Sequence, residues 1–347
     1  MLTDDFERRL IENTQPVRYF FLAQALHHAL HLGLFAALDA EPGARADALA
    51  QRLGFDQHRT EALLRYLRNE GYTVLADGWS LSAKGREVQV FAPWFEMLVG
   101  GYAPSMEQLG DILQDGTLYA SRNTTKVGEG SCGIGRYDAL PLVEQLIDKA
   151  DPGSRPETVI DLGCGDGSFL MDLLVARPGL RGVGVEPNEG SVVLGERRRA
   201  ELGLGERMTL KQGSAQDALK LVDLPDGGRG SAFMTAFVLQ ELMEQEGQEA
   251  IEQLLASAFE LYPEVRWLVV EMDHKPLSPV MGSHGLALNF YNPYFLIHAV
   301  TEQRLETREW WDGLFERLGL TAEVVAHPDP RADSTGLQFG MLLSKQK

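Results

Sequence analysis

The chain has 347 residues, 44% hydrophobic and 24% charged, a size and composition that bury a full core in two domains and exclude a disordered or fibrous chain. Its 32 Lys and Arg face 50 Asp and Glu, for a net charge of −18. A surface this acidic repels a phosphate backbone, and no basic run offsets it, so nucleic acid is excluded and a small-molecule or protein partner is favoured. The first forty residues read as helices. Gln15-Pro16 is expected to divide a short amphipathic segment from a longer apolar one that is free of formal charge over 19–38. That stretch has the length of a membrane span, but Gln24, His27, His28 and His31 make it a buried helix of a soluble protein, and the histidines read as structural.

Two short helices follow, over 44–53 and 57–70, with Asp56 placed as an N-cap. A small hairpin over 72–82 completes a winged-helix pattern. Residues 87–150 are expected to be mostly helical, with a glycine-rich loop over 127–135. From Pro156 the rhythm turns to strand, helix, strand: apolar runs at 158–162, 181–186, 208–211, 231–237 and 266–271 alternate with helical segments, and 321–327 and 337–343 close as a hairpin. Such alternation predicts a parallel sheet with helices on both faces, edged by that hairpin. The two cysteines, Cys132 and Cys164, are too few for a disulfide scaffold. With an acidic start at Asp4, Asp5 and Glu7, they point to a cytoplasmic protein.

The sharpest motif is Asp161-Leu-Gly163-Cys-Gly165-Asp-Gly167, after the first strand of this series and opening a helix. Three glycines allow a tight turn against which a ligand lies on bare backbone. Glu186 ends the next strand about 20 residues on, where a carboxylate accepts the hydroxyls of a ribose. A dinucleotide needs a free helix N-terminus for its pyrophosphate. Asp161 and Asp166 would repel that group and suit the ammonium and sulfonium of S-adenosylmethionine. The motif resembles the first motif of class I methyltransferases. The resemblance implies a Rossmann-like α/β domain and a cofactor site built from Asp161, Gly163, Gly165, Gly167, Glu186, Pro187, Gly213, Ser214, Ala215 and Phe237.

The whole layout also resembles small-molecule O-methyltransferases, in which a histidine after the fourth strand is the general base. Here Gln240 and Glu241 stand there, and an amide cannot take a proton. The runs 6–12 and 15–20, and Tyr291-Asn-Pro-Tyr-Phe-Leu-Ile-His298, resemble the 2-oxo acid C-methyltransferases of the 2-ketoarginine and phenylpyruvate type. That resemblance implies methylation of the carbon beside the ketone of a 2-oxo acid, in the making of a β-methyl amino acid. It also implies a divalent or ferric metal ion held at Gln240, Glu241 and His298, and a substrate carboxylate held by Arg122. Such a metal would polarise the ketone and stabilise the enolate. The implied domains are 1–104 (helical and winged-helix, forming a homodimer), 105–150 (helical connection) and 151–347 (cofactor-binding). Two alternatives stand beside this reading. One is an O-methyltransferase with His274 or His284 as base. The other is a winged-helix regulator, disfavoured because residues 1–90 hold 10 Lys and Arg against 12 Asp and Glu.

Overall fold

The computed structural model describes residues 4–346. The chain divides into two units: residues up to Pro104 with Arg122–Gly133, and Ser105–Ser121 with the chain from Ile134 onward. The expected connection over 105–150 is thus shared between them.

The first unit opens on α1 (Phe6–His31), which runs through Pro16 instead of breaking there. Proline removes one N–H from the ladder, but this part of α1 is exposed, so water hydrates the carbonyl left over. The break comes at Gly33, whose left-handed backbone (φ 78°) turns the chain into α2 (Leu34–Ala40). Among the described residues no single helix is long and apolar enough to cross a membrane; α1 and α2 pass that test only as a pair bent by 61°. Next come α3 (Ala46–Leu53) and α4 (Gln57–Asn69). Asp56 Oδ1 accepts the Arg59 N–H at 2.9 Å, the cap expected there. The hairpin pairs β1 (Thr73–Leu75) with β2 (Trp79–Leu81). Leu64, Leu67 and Trp79 bury against Phe35 and Leu38 to form this unit's core.

Residues 127–135 are a helix and not the expected loop: α5 spans Thr124–Gly135. Its glycines serve close approach. A Cβ at Gly130 would sit 2.5 Å from the Met97 backbone nitrogen, and one at Gly133 would sit 2.7 Å from the Pro93 ring. The close packing that these glycines permit outweighs the roughly 1 kcal/mol that each costs a helix.

The second unit contains α6 (Ala139–Lys149), β3 (Thr158–Leu162), α7 (Ser168–Ala176), β4 (Arg181–Glu186), α8 (Glu189–Glu201) and β5 (Met208–Gln212). It continues with β6 (Ser231–Ala236), α9 (Leu239–Gln245), α10 (Gln248–Leu261), β7 (Arg266–Met272), α11 (Asn292–Val300), α12 (Arg308–Arg317), β8 (Leu320–Ala326) and β9 (Gln338–Lys345). The segment after β6 holds two helices, because Gly247 takes φ 88° between α9 and α10.

The strands form one sheet in the order β5-β4-β3-β6-β7-β9-β8. β3 to β7 are parallel, and β9 is antiparallel to both β7 and β8. Buried side chains cover both faces. Trp267, fully buried on β7, satisfies its indole N–H on Thr235 Oγ1 at 3.0 Å. The chain leaves β3 outward through β4 and β5, then returns to β6 on its other side. Connections diverge at that reversal, leaving a crevice at the carboxyl ends of β3 and β6.

Candidate active site

The glycine loop lies at this switch point. Gly163, Gly165 and Gly167 have φ of +70°, +57° and +72°, a left-handed run that only glycine adopts cheaply. Glu186, at the end of β4, closes over the loop. Its Oε2 accepts the Gly165 N–H and its Oε1 the Asn188 N–H, both at 2.9 Å. The Gly213 N–H donates to the Glu186 carbonyl at 3.0 Å, tying the end of β5 to the same edge. Pro187 is exposed beside it, and Ala215 is half-buried. Ser214 Oγ donates to Asp217 Oδ2 at 2.8 Å and accepts the Asp217 N–H at 3.1 Å, so it is engaged in its own turn.

The two acids of the motif differ. Asp161 is 4% exposed, and burial, with Glu186 second, pushes its carboxyl up to about 8. A cation bound beside such a group would favour its ionised form and lower that value. Asp166 does not play the part expected of it. Its carboxylate pairs with Arg198 and accepts the Ser168 N–H at 2.9 Å, which neutralises it and caps the start of α7.

A Cβ at Gly163 would sit 3.0 Å from Val238 Cγ2, so the loop lies directly against the segment after β6. There Phe237 takes φ +59° while its N–H donates to the Val270 carbonyl at 3.0 Å. A left-handed phenylalanine is strained, and such strain collects at functional sites. It directs the chain abruptly into α9. Glu271, on β7 and 1% exposed, lies by the backbone N–H groups of Gln240 and Leu239 at the start of that helix, and its Oε1 is buried with no hydrogen-bond partner among the described residues. Burial pushes its carboxyl up to about 8. Sequence reasoning missed Glu271. Its one signal was a carboxylate in an otherwise apolar buried strand.

Gln240 is 2% exposed. Its Nε2 donates to the Tyr294 hydroxyl at 3.2 Å and lies 3.3 Å from His298 Nε2. Its Oε1 is buried with no hydrogen-bond partner among the described residues. His298, also 2% exposed, stacks on the Tyr294 ring at 3.8 Å. His298 Nδ1 lies 2.7 Å from the Tyr294 carbonyl, so that nitrogen carries the proton and Nε2 presents a lone pair to the Gln240 amide. A base on α11 and a hydrogen-bond donor on α9 thus stand side by side, the donor in the segment that abuts the glycine loop.

Glu241 does not join them. One residue on, it projects about 100° around α9 from Gln240, and its Oε1 accepts Gln303 Nε2 at 2.7 Å. No cluster of three His, Cys, Asp or Glu suited to a metal stands among the described residues. The arrangement leaves two neutral donors, the Gln240 oxygen and the His298 nitrogen, without the carboxylate of the implied set. These residues do not fit a metal ion as they stand.

Arg122 belongs to the first unit, whereas Gln240, Glu241 and His298 lie in the second. His27 and His31 also lie in the first unit; His27 is buried beside Lys126, and burial pulls its pKa down to about 4. His284 holds Ser334 Oγ with Nε2 at 3.0 Å and accepts the Leu286 N–H with Nδ1. His274 meets Phe295 edge-on at 5.0 Å, and both line a cavity of about 220 Å³ that also reaches His298.

The strand order, the glycine loop at the switch point and the acid closing it from the next strand define a class I S-adenosylmethionine-dependent methyltransferase. No protein-family model matches the chain. Over its whole length it is 41% identical, across 349 aligned residues, to a 2-ketoarginine methyltransferase of Streptomyces arginensis, covering 99% of that relative. The chain belongs to the family of that enzyme, in line with the resemblance read from its motifs. Solved structures show the same fold at lower identity. The mitomycin 7-O-methyltransferase MmcR aligns with a TM-score of 0.70 at 20% identity, over 98% of this chain and 99% of its own. The O-methyltransferase NcsB1 of neocarzinostatin biosynthesis, solved with S-adenosylmethionine and a naphthoic acid, aligns with a TM-score of 0.59 at 17% identity, over 93% of this chain and 96% of its own.

Proposed function

We propose that this methyltransferase acts on carbon, moving the methyl group of S-adenosylmethionine to the carbon beside the ketone of a 2-oxo acid. The observation that carries this reading is the buried pair of His298, on α11, and Gln240, in the segment packed on the glycine loop. The relative's substrate, a 2-oxo acid by its name, supports it.

A carbon beside a ketone is a poor nucleophile until it loses a proton. In the proposed mechanism His298 Nε2 takes that proton, while Nδ1 keeps its own on the Tyr294 carbonyl. The electron pair moves to the ketone oxygen, which accepts a hydrogen bond from the Gln240 amide in place of the imidazole lone pair. The enolate carbon then attacks the sulfonium methyl in line. One C–C bond forms, one C–S bond breaks, and the cofactor leaves as the neutral thioether. Alignment of nucleophile and methyl supplies much of the rate. Amination of the product's ketone yields a β-methyl amino acid. The metal implied by the resemblance is not carried into these steps, because Glu241 is held by Gln303.

Deuterium exchange tests the proposal. In deuterated water with S-adenosylhomocysteine bound, the enzyme should exchange the hydrogens beside the ketone of its 2-oxo acid. With S-adenosylmethionine the new methyl should appear on that carbon by NMR. No exchange, together with a methyl on oxygen, would overturn the reading in favour of an O-methyltransferase with His274 as base.

The assembly is proposed to be a cytoplasmic homodimer joined through the first unit. Phe6, Leu10, Ile11, Val17, Phe20 and Phe21 of α1 are each 44–60% exposed, a run of large apolar side chains that a lone protomer leaves in water. Light scattering at micromolar concentration should give twice the 38.4 kDa chain mass. A monomer at that concentration would contradict the proposal.

A further inference from the structure

α11 does not begin as an ordinary helix. It continues directly from a π-helical segment, Ala287–Tyr291, and no side chain caps its start. A π turn holds an extra residue, is rare and collects at functional sites. Relaxing it to an α-helical ladder shifts the helix beyond it by one residue, a rotation of about 100°. His298 would then leave the Gln240 amide, from which its Nε2 lies 3.3 Å away. The π turn therefore needs a hold from outside the helix.

Tyr291, the last residue of that segment, supplies one. It is fully buried, and its hydroxyl donates to Asp333 Oδ2 on the loop between β8 and β9. Charge fixes the direction of this bond. Burial raises the Tyr291 hydroxyl well above its ordinary value, and Asp333 and Asp138, the latter at the start of α6, add to the rise. The hydroxyl thus keeps its proton and donates it. Asp333 is itself fixed, because its Oδ1 accepts the Thr335 N–H at 2.8 Å and the Thr335 hydroxyl at 2.6 Å. Thr335 Oγ1 accepts the Leu337 N–H at 3.1 Å, one residue before β9. The end of the π turn is thereby anchored to the sheet. Tyr291, Tyr294 and His298 follow at i, i+3 and i+7, on one face of the helix. Tyr294 holds His298 by its ring and its carbonyl, so an anchor on that face sets the rotation of both.

We infer that Tyr291 and Asp333 are positioning residues for the reaction: their hydrogen bond holds the π turn and keeps His298 Nε2 where it takes the substrate proton. The inference rests on the reading of His298 as the base. Acting through His298, the two residues should govern turnover and not binding.

The test compares Tyr291→Phe, Asp333→Ala and Asp333→Asn with the native enzyme, using 5-guanidino-2-oxopentanoate and 2-oxohexanoate. Phenylalanine keeps the ring and removes the donor. A misplacement of about 1 Å costs about 10²-fold, so in Tyr291→Phe kcat should fall by about 10- to 100-fold. Hydrogen exchange beside the ketone should fall with it. The KM for the oxo acid should stay within about threefold, the pattern of an interaction made only in the transition state. Affinity for S-adenosylmethionine, measured by calorimetry, is the folding control and should stay within about twofold. Asp333→Ala should behave as Tyr291→Phe does. Asp333→Asn keeps an oxygen for Thr335 and offers Tyr291 an amide, with the hydrogen bond reversed. It should hold kcat within about threefold of native, a rescue that loss of packing alone would not produce. An unchanged kcat in Tyr291→Phe, or a rise in KM as its only change, would overturn the inference alone. If the native enzyme methylates neither acid nor exchanges their hydrogens, the proposed function falls and takes this inference with it.

Discussion

Replacing His298 with glutamine should lower the kcat for methyl transfer by about 10²–10⁴-fold, the usual contribution of a positioned general base. The amide keeps the volume and polarity of the site, and it cannot accept the proton. Hydrogen exchange beside the ketone should disappear with the methylation, because both pass through the same proton removal. Affinity for S-adenosylmethionine should change by less than about twofold, since Gln240 and Tyr294, to which His298 is hydrogen-bonded, lie outside the glycine loop and Glu186. Rapid-quench kinetics and calorimetry on one preparation measure both quantities. A variant that keeps exchange and turnover while losing only thermal stability would make His298 a packing residue, held by its stack on Tyr294.

The second large effect is expected on the cofactor. Glu186→Ala should weaken S-adenosylmethionine binding by about 1.5–3 kcal/mol, the range for hydrogen bonds to a charged group, or roughly 10- to 150-fold in Kd. Two losses add up here. The ribose loses its acceptor, and the loop loses the carboxylate that holds the N–H groups of Gly165 and Asn188. The kcat at saturating cofactor should fall much less, because Glu186 is remote from the reacting carbon in the proposed mechanism. Isothermal titration gives the Kd directly, and an unchanged value would remove Glu186 from the site. Tighter binding of NAD than of S-adenosylmethionine would overturn the whole cofactor assignment.

Both predictions begin from residues visible in the sequence, but they were visible to different degrees. The glycine loop is local information. Three glycines at alternate positions follow an apolar strand, and a left-handed run of that kind admits little else. β3 and α7 accordingly take the expected bounds, Thr158–Leu162 and Ser168–Ala176. Glu186 was legible because a strand–helix–strand unit of standard length returns its second strand parallel to the first, so an acid 21 residues after Gly165 arrives at the same sheet edge. The N-cap at Asp56 and the closing hairpin were readable for the same reason, since each depends on neighbours in the chain.

The proposed reacting pair was not readable in that way. Gln240 and His298 are 58 residues apart, and their meeting depends on how α9 and α11 are packed over the sheet. Sequence resemblance grouped Gln240, Glu241 and His298 as one set. Helix rotation separates them, because adjacent residues on α9 face different neighbours and Glu241 finds Gln303. Glu271 was invisible for a related reason. A carboxylate inside an apolar strand acquires a meaning only from the helix start that packs beside it, and that helix belongs to another part of the chain.

Composition and packing pull in opposite directions at three further positions. Glycines at 130 and 133 and proline at 16 are loop and break signals by propensity, yet α5 and α1 pass through them. Propensities of roughly 1–3 kcal/mol are settled by what lies opposite in space: a backbone close enough to demand glycine at Gly130, and open water around Pro16. Local sequence therefore specified the fold class, the glycine loop and the acid that closes it, all of which rest on short-range backbone geometry. The pairing of base and amide, the diversion of Glu241 and the tie of Tyr291 to Asp333 were decided by tertiary packing, because each depends on side chains brought together from distant segments.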